Sequence, residues 1–298
     1  MRAALLRALT AIIFIFSCGF GGVSPPDPFI VFDTLLGAAY GYKTTSGLTA
    51  RSPAINPALK TLILITAGQS IWASTNPTLY TPTNSSVVDQ FSIYDGGTYN
   101  INAPLLGTTW VQGAGVFGNL SARVADTLVT NAKFDRVIIV PIAIGSTTVA
   151  DWATGVHFNR ISVAMLRLAS RGITPGMTGV TFAMIWGDGE QDNLNGTSQA
   201  SWTASFATLK ANILATGFNG RIFVPQETYI NSATSAAVRA AQAAVVDGST
   251  VFSGGDFDTL TGSTNRQVSG TDAHMTDAGA ASASALMITA MHASGAPF

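Results

Sequence analysis

Four near-continuous apolar runs constrain the fold of this 298-residue chain: Leu62–Ala67, Val137–Ile144, Val180–Trp186 and Arg221–Pro225. A strand that is apolar at successive positions has no face for water, so it must be covered on both sides, as parallel strands are. Helical patterns lie between the runs. Residues 118–133 place Leu120, Val124, Leu128 and Val129 on one stripe, and 158–171 do the same with Ile161, Met165, Leu166 and Leu168. Residues 201–216 and 235–246 repeat the pattern, and a last helix, 277–293, has Thr276 as its N-cap. This alternation predicts an α/β fold, a three-layer α/β/α sandwich around a central, mostly parallel, doubly wound sheet.

The ends of the chain read differently. Arg2 and Arg7 precede or flank the apolar stretch from Ala8 to Phe16, and the small residues Ser17, Cys18, Gly19, Gly21 and Gly22 follow. That is the layout of a signal peptide over residues 1–22, with a core too short to span a bilayer, so a secreted or periplasmic location is expected. Ile15-Phe16-Ser17-Cys18 also resembles a bacterial lipobox, which implies a lipid anchor at Cys18 as the sole membrane contact. The other reading makes Cys18 one more small residue of a cleaved leader. Residues 23–57, with Pro25, Pro26, Pro28, Pro53 and Pro57, read as a linker or N-terminal extension, and 58–298 as one domain. A single cysteine excludes an intrachain disulfide and a cysteine metal site. With 15 basic against 16 acidic residues and no basic run, the chain is not expected to bind nucleic acid.

Ligands of open α/β sheets bind beyond the carboxyl ends of the strands. The first run ends there in Gly68-Gln69-Ser70, although Gly and Ser also end strands for ordinary turn reasons. The second ends in Gly145-Ser146-Thr147, with Asp151-Trp152 just after, and the third runs into Gly187-Asp188-Gly189-Glu190-Gln191-Asp192. Of three histidines, His274 alone has an acid within two positions, Asp272, in a Gly-containing loop before the last helix. Acyl transfer needs a nucleophile, a base, a carboxylate that orients the base, and donors for the oxyanion. Ser70, His274, Asp272 and the amides of Gly145 and Ser146 could supply these from one sheet edge. The alternative is a surface histidine beside a capping aspartate. Between the first two strands, residues 80–115 are turn-rich and aromatic (Phe91, Tyr94, Tyr99, Trp110) and read as an irregular pocket wall.

The order GQS, PIAIGSTTVADW, IWGDGEQD, DAHMTDAG resembles the SGNH-hydrolase superfamily, and within it the carbohydrate esterases of the sialate O-acetylesterase type. Those proteins carry a GQS-type block, a GGT…W block, a W-H-Q-G-E-x-D block and a D-x-x-H block. The stretch APLLGTTWVQGAGVFGNLSARVAD is similar to their segment between the first two, so the likeness spans residues 59–290. It implies an SGNH-type, flavodoxin-like sheet and an exported serine esterase that removes O-acetyl groups from a carbohydrate through an acetyl-serine. No metal or organic cofactor is implied. Ser70 would be the nucleophile, His274 the base and Asp272 its orienting acid. The amides of Ser70 and of Gly145 or Ser146 would hold the oxyanion, and Gln69, Glu190 and Asp192 would brace the loops. Trp72, Trp110 and Trp152 offer faces for a sugar, or core side chains.

Five positions depart from the pattern. Ile71 replaces an Asn, Ser146 a Gly, and Gly187-Asp188 the His-Gln pair. Asp272 precedes His274 by two residues where the family has three. Asp188 falls where a Gln would donate to the oxyanion, and an ionised Asp cannot donate. Asp256, Asp258 or a carbonyl are alternative partners for His274. These departures keep open a second reading, an SGNH-fold binding or structural protein with weakened or lost activity. A third takes Asp188, Glu190 and Asp192 as glycosidase acids or calcium ligands, but Asn193 stands where a calcium loop requires Gly.

Overall fold

A computed structural model of the chain describes residues 41–109 and 118–298. The expected leader, Cys18 and Trp110 lie outside the described residues.

Eight strands form one sheet: β1 (Ala50–Arg51), β2 (Thr61–Gly68), β3 (Val88–Phe91), β4 (Thr98–Asn100), β5 (Arg136–Pro141), β6 (Val180–Gly187), β7 (Arg221–Gln226) and β8 (Val251–Asp256). Their order is β1-β4-β3-β5-β2-β6-β7-β8, with β3 to β8 parallel across the centre and β4 and β1 antiparallel at one edge. The principal helices are α1 (Leu120–Thr130), α2 (Val149–Thr154), α3 (Phe158–Ser170), α4 (Glu190–Leu194), α5 (Gln199–Ala215), α6 (Ala236–Ala244) and α7 (Asp277–Ala293). The α/β sandwich expected from the sequence is the fold observed.

Every residue of β2 is buried, as a strand with apolar positions on both faces requires. Leu62 and Leu64 point into the core with Val124 and Leu128 of α1 and Met287 and Met291 of α7. Ile63 and Ile65 alternate to the other face. There α2, α3, α5 and α6 pack in contact with one another. The last helix begins at the expected Thr276, whose hydroxyl accepts from the Gly279 amide.

Three parts of the sheet depart from expectation. The irregular insertion contains β3 and β4. Its buried strand is half polar, and tertiary partners hold the polar side chains: Asp89 Oδ2 accepts from Arg136 at 2.7 Å, and Gln90 bonds Asn100 O and Leu106 N. The 23–57 extension joins the sheet through β1, and Arg136 also holds Ser52 O and Ala54 O. The second apolar run leaves regular strand at Pro141, yet Ile142 and Ile144 still donate to Thr66 O and Gly68 O, both at 2.9 Å. That continuation carries Gly145 to the tip of β2.

Candidate active site

The central strands β2 and β6 end side by side, with Gly68 opposite Gly187. Gly68 has φ +103°, and a Cβ on it would overlap the Gly187 carbonyl, so only glycine serves there. The chain then turns sharply. The Gln69 amide bonds Gly187 O at 2.8 Å, and the buried Gln69 side chain accepts from the Gln191 amide at 3.2 Å, tying the turn to the loop after β6. Ser70–Trp72 form one tight turn, closed by Trp72 N to Gln69 O and Ala73 N to Ser70 O. Ser70 is half-buried, and its amide has no acceptor among the described residues.

The His274 loop is tied onto this turn. Gln267 donates its amide to His274 O at 2.9 Å and its side-chain nitrogen to Thr75 O at 3.0 Å and Met275 O at 2.8 Å. The Thr75 hydroxyl in turn bonds Ser70 O at 2.9 Å. From below, the buried Arg266 guanidinium donates to Leu260 O, Phe257 O and Ala273 O. Asp272 uses one carboxyl oxygen on the His274 amide and the other on His274 Nδ1, both at 3.2 Å. The two-residue spacing therefore suffices. Partial burial opposes ionisation of Asp272, but the hydrogen bond and charge of His274 and the loop amides hold its pKa below the usual carboxylate range. Asp256 and Asp258, the alternative partners, are engaged by Arg239 at 2.8 Å.

On the opposite side of Ser70, a Cβ placed on Gly145 would lie 3.5 Å from Ser70 Cβ. The Gly145 amide donates to Thr109 Oγ1 at 2.8 Å. Ser146 is exposed and left-handed (φ +59°), a conformation that favours Gly, and its amide has no acceptor among the described residues. Asp188 is buried. Burial, then the charges of Asp192 and Glu190, push its pKa far up. A neutral Asp188 does not repel an oxyanion. Asp192 accepts from the Val149 amide at 3.0 Å, anchoring α2. Trp72 and Trp152 are fully buried, so of the two roles open to them they serve as core side chains and not as faces for a sugar. Trp152 bonds Thr147 Oγ1 at 2.9 Å and meets Trp186 edge-on, so it braces the loop after β5.

No protein-family model matches this sequence, and no curated protein matches it. Two solved structures resemble the backbone. A protein from Arabidopsis thaliana superposes with a TM-score of 0.59 at 16% identity, over 78% of this chain and 98% of that one. A carbohydrate acetylesterase from Xanthomonas citri gives 0.50 at 14% identity, over 77% of this chain and 55% of that one. The chain shares their fold.

Beneath the site lies a buried acidic layer, of which the sequence motifs showed only part. Glu227, one residue past β7, accepts from Trp72 Nε1 at 3.0 Å. An acid directly after an apolar strand was the available signal; Thr109, in a run of polar turn residues, had none. Burial, then the charge of Glu190, drives the Glu227 pKa far up. Burial pushes Glu190 from 4.5 up to about 8, against the pull of Arg266. The sign follows directly. The unfolded chain loses this proton near 4.5 and the folded one near 8, so between those values the unfolded state binds fewer protons and stability falls as pH rises. The melting temperature is expected to be highest near the acid end of that window and to decline towards pH 8. Glu190→Gln should flatten the decline. A wild-type profile that is level or rises across the window, or an unchanged slope in the variant, would refute this.

Proposed function

We propose that the chain is an exported serine esterase of the SGNH type that removes O-acetyl groups from a carbohydrate. The observation that carries this reading is the His274–Asp272 pair, hydrogen-bonded through Gln267 and Thr75 onto the turn that holds Ser70. Asp272 accepts from His274 Nδ1–H, which leaves Nε2 as the basic nitrogen. Ser70 Oγ attacks the acetyl carbonyl as Nε2 takes its proton. The oxyanion meets the amides of Ser70 and Ser146, neither of which has an acceptor among the described residues. Collapse expels the sugar hydroxylate, which takes the proton back from His274, and an acetyl-serine remains. Water, deprotonated by the same nitrogen, then releases acetate. The low charge content suits a neutral, hydroxyl-rich ligand, and the fold shared with a carbohydrate acetylesterase agrees with this reading. Export rests on residues 1–22, with or without a lipid at Cys18.

A fluorophosphonate serine probe tests the nucleophile. Stoichiometric labelling of the folded chain at Ser70, with acetate released from acetylated oligosaccharides, is the expected result. The burial of Asp188 favours a second reading, a binding protein without turnover. A folded sample that binds acetylated saccharide, takes up no label and releases no acetate would establish that reading instead.

A further inference from the structure

We propose that the Thr109 hydroxyl is the side-chain contact of the oxyanion, in the role that Asp188 does not fill. The inference rests on the serine esterase reading. Thr109 Oγ1 and Ser70 Cβ flank the same glycine: a Cβ on Gly145 would stand 3.3 Å from the first and 3.5 Å from the second. The Thr109 backbone is fixed there, its amide donating to Ala143 O at 3.1 Å on the continuation of β5. The adjacent Thr108 shows the contrast. Its hydroxyl is buried and spent on Leu105 O at 2.9 Å and Ser74 Oγ at 3.1 Å.

Thr109 Oγ1 accepts from the Gly145 amide at 2.8 Å, and its own proton has no acceptor among the described residues. A hydroxyl keeps one donor while it accepts. Accepting from an amide polarises the O–H and makes it a better donor. The Gly145 amide, which backbone analogy would assign to the oxyanion, thus acts through Thr109 rather than directly. Asp188 does not compete, because its carboxyl is buried among the acids Asp192 and Glu190. Thr109 donates a hydrogen bond that strengthens as charge develops on the carbonyl oxygen. No proton is transferred.

The test compares Thr109→Val, Thr109→Ala and Thr109→Ser in the full chain, with 4-nitrophenyl acetate and an acetylated oligosaccharide as substrates. Removing one preorganised donor is expected to lower kcat ~10²–10³-fold while KM changes little. The serine variant, which keeps the hydroxyl, should recover most of the rate. The alanine variant removes the hydroxyl without placing a methyl there, so it stands in should the valine variant misfold. If Thr109 merely caps the Gly145 amide, removing it frees that amide, and kcat holds or rises in folded valine or alanine variants. That outcome overturns the proposal. A wild-type chain without fluorophosphonate labelling or acetate release would overturn the esterase reading, and the Thr109 role with it. An active wild type with undiminished variants overturns the Thr109 role alone.

Discussion

Ser70→Ala and His274→Ala are each expected to lower kcat for acetyl-ester hydrolysis on the order of 10⁴–10⁶-fold, and the double variant to be no slower than either. The non-additivity is the informative part. Once the hydroxyl is gone, a base has no proton to take, and once the base is gone, the hydroxyl is a poor nucleophile. Independent structural roles would instead multiply. Asp272→Asn should cost less, ~10²–10⁴-fold, because the amide nitrogen presented to His274 Nδ1 favours the wrong tautomer without removing the imidazole. Both single variants should keep the wild-type melting temperature within a few degrees, since Ser70 and His274 are half-buried and outside the apolar core. Activity assays on purified, folded variants decide the matter. Losses that multiply in the double variant, or a Ser70→Ala chain as active as wild type, would remove Ser70 from the mechanism.

How far the sequence could be read depended on whether an element declares itself through its own residues. The apolar runs of β2, β6 and β7 match strands within a residue or two, because burial on both faces leaves no other composition. The last helix was legible at both ends, with Thr276 capping it and Asp277–Ala293 forming it. β8 was not, because Val251–Asp256 is an edge strand with two glycines and polar residues facing solvent. β3 was hidden for the opposite reason: Asp89 and Gln90 are buried, and only tertiary partners such as Arg136 make that tolerable. The candidate site divides in the same way. Asp272 and His274 are near neighbours in the chain and meet through local loop geometry. Thr109 next to Gly145, and Glu227 beneath Trp72, are brought together only by the sheet order.

Gly187→Ala is expected to destabilise the fold by about 4 kcal/mol, a fall in melting temperature on the order of 10 °C, through overpacking and a broken buried hydrogen bond. A Cβ at this position would overlap Trp72 Nε1 and Cδ1 and reach 2.5 Å from Glu227 Oε1. The indole cannot give way easily. It is fully buried, stacked on Phe257 at 6.0 Å between centroids, and held by Glu227 at 3.0 Å. Displacing it leaves a buried carboxyl without its donor and moves the turn that carries Ser70, so kcat should fall as well. The same geometry bears on one difference from the SGNH-type blocks that the sequence resembles. The third block carries His where this chain has Gly187, and here the space for that side chain is filled by Trp72 from the neighbouring strand end. The two positions should therefore be coupled. Trp72→Leu vacates the space at its own cost, and in that background Gly187→Ala should lose most of its penalty. Thermal melts of the two single variants and the double variant measure the coupling directly. If Gly187→Ala costs the same in both backgrounds, the indole is not what excludes a side chain there, and the strand pairing with Gly68 would have to carry the restriction instead.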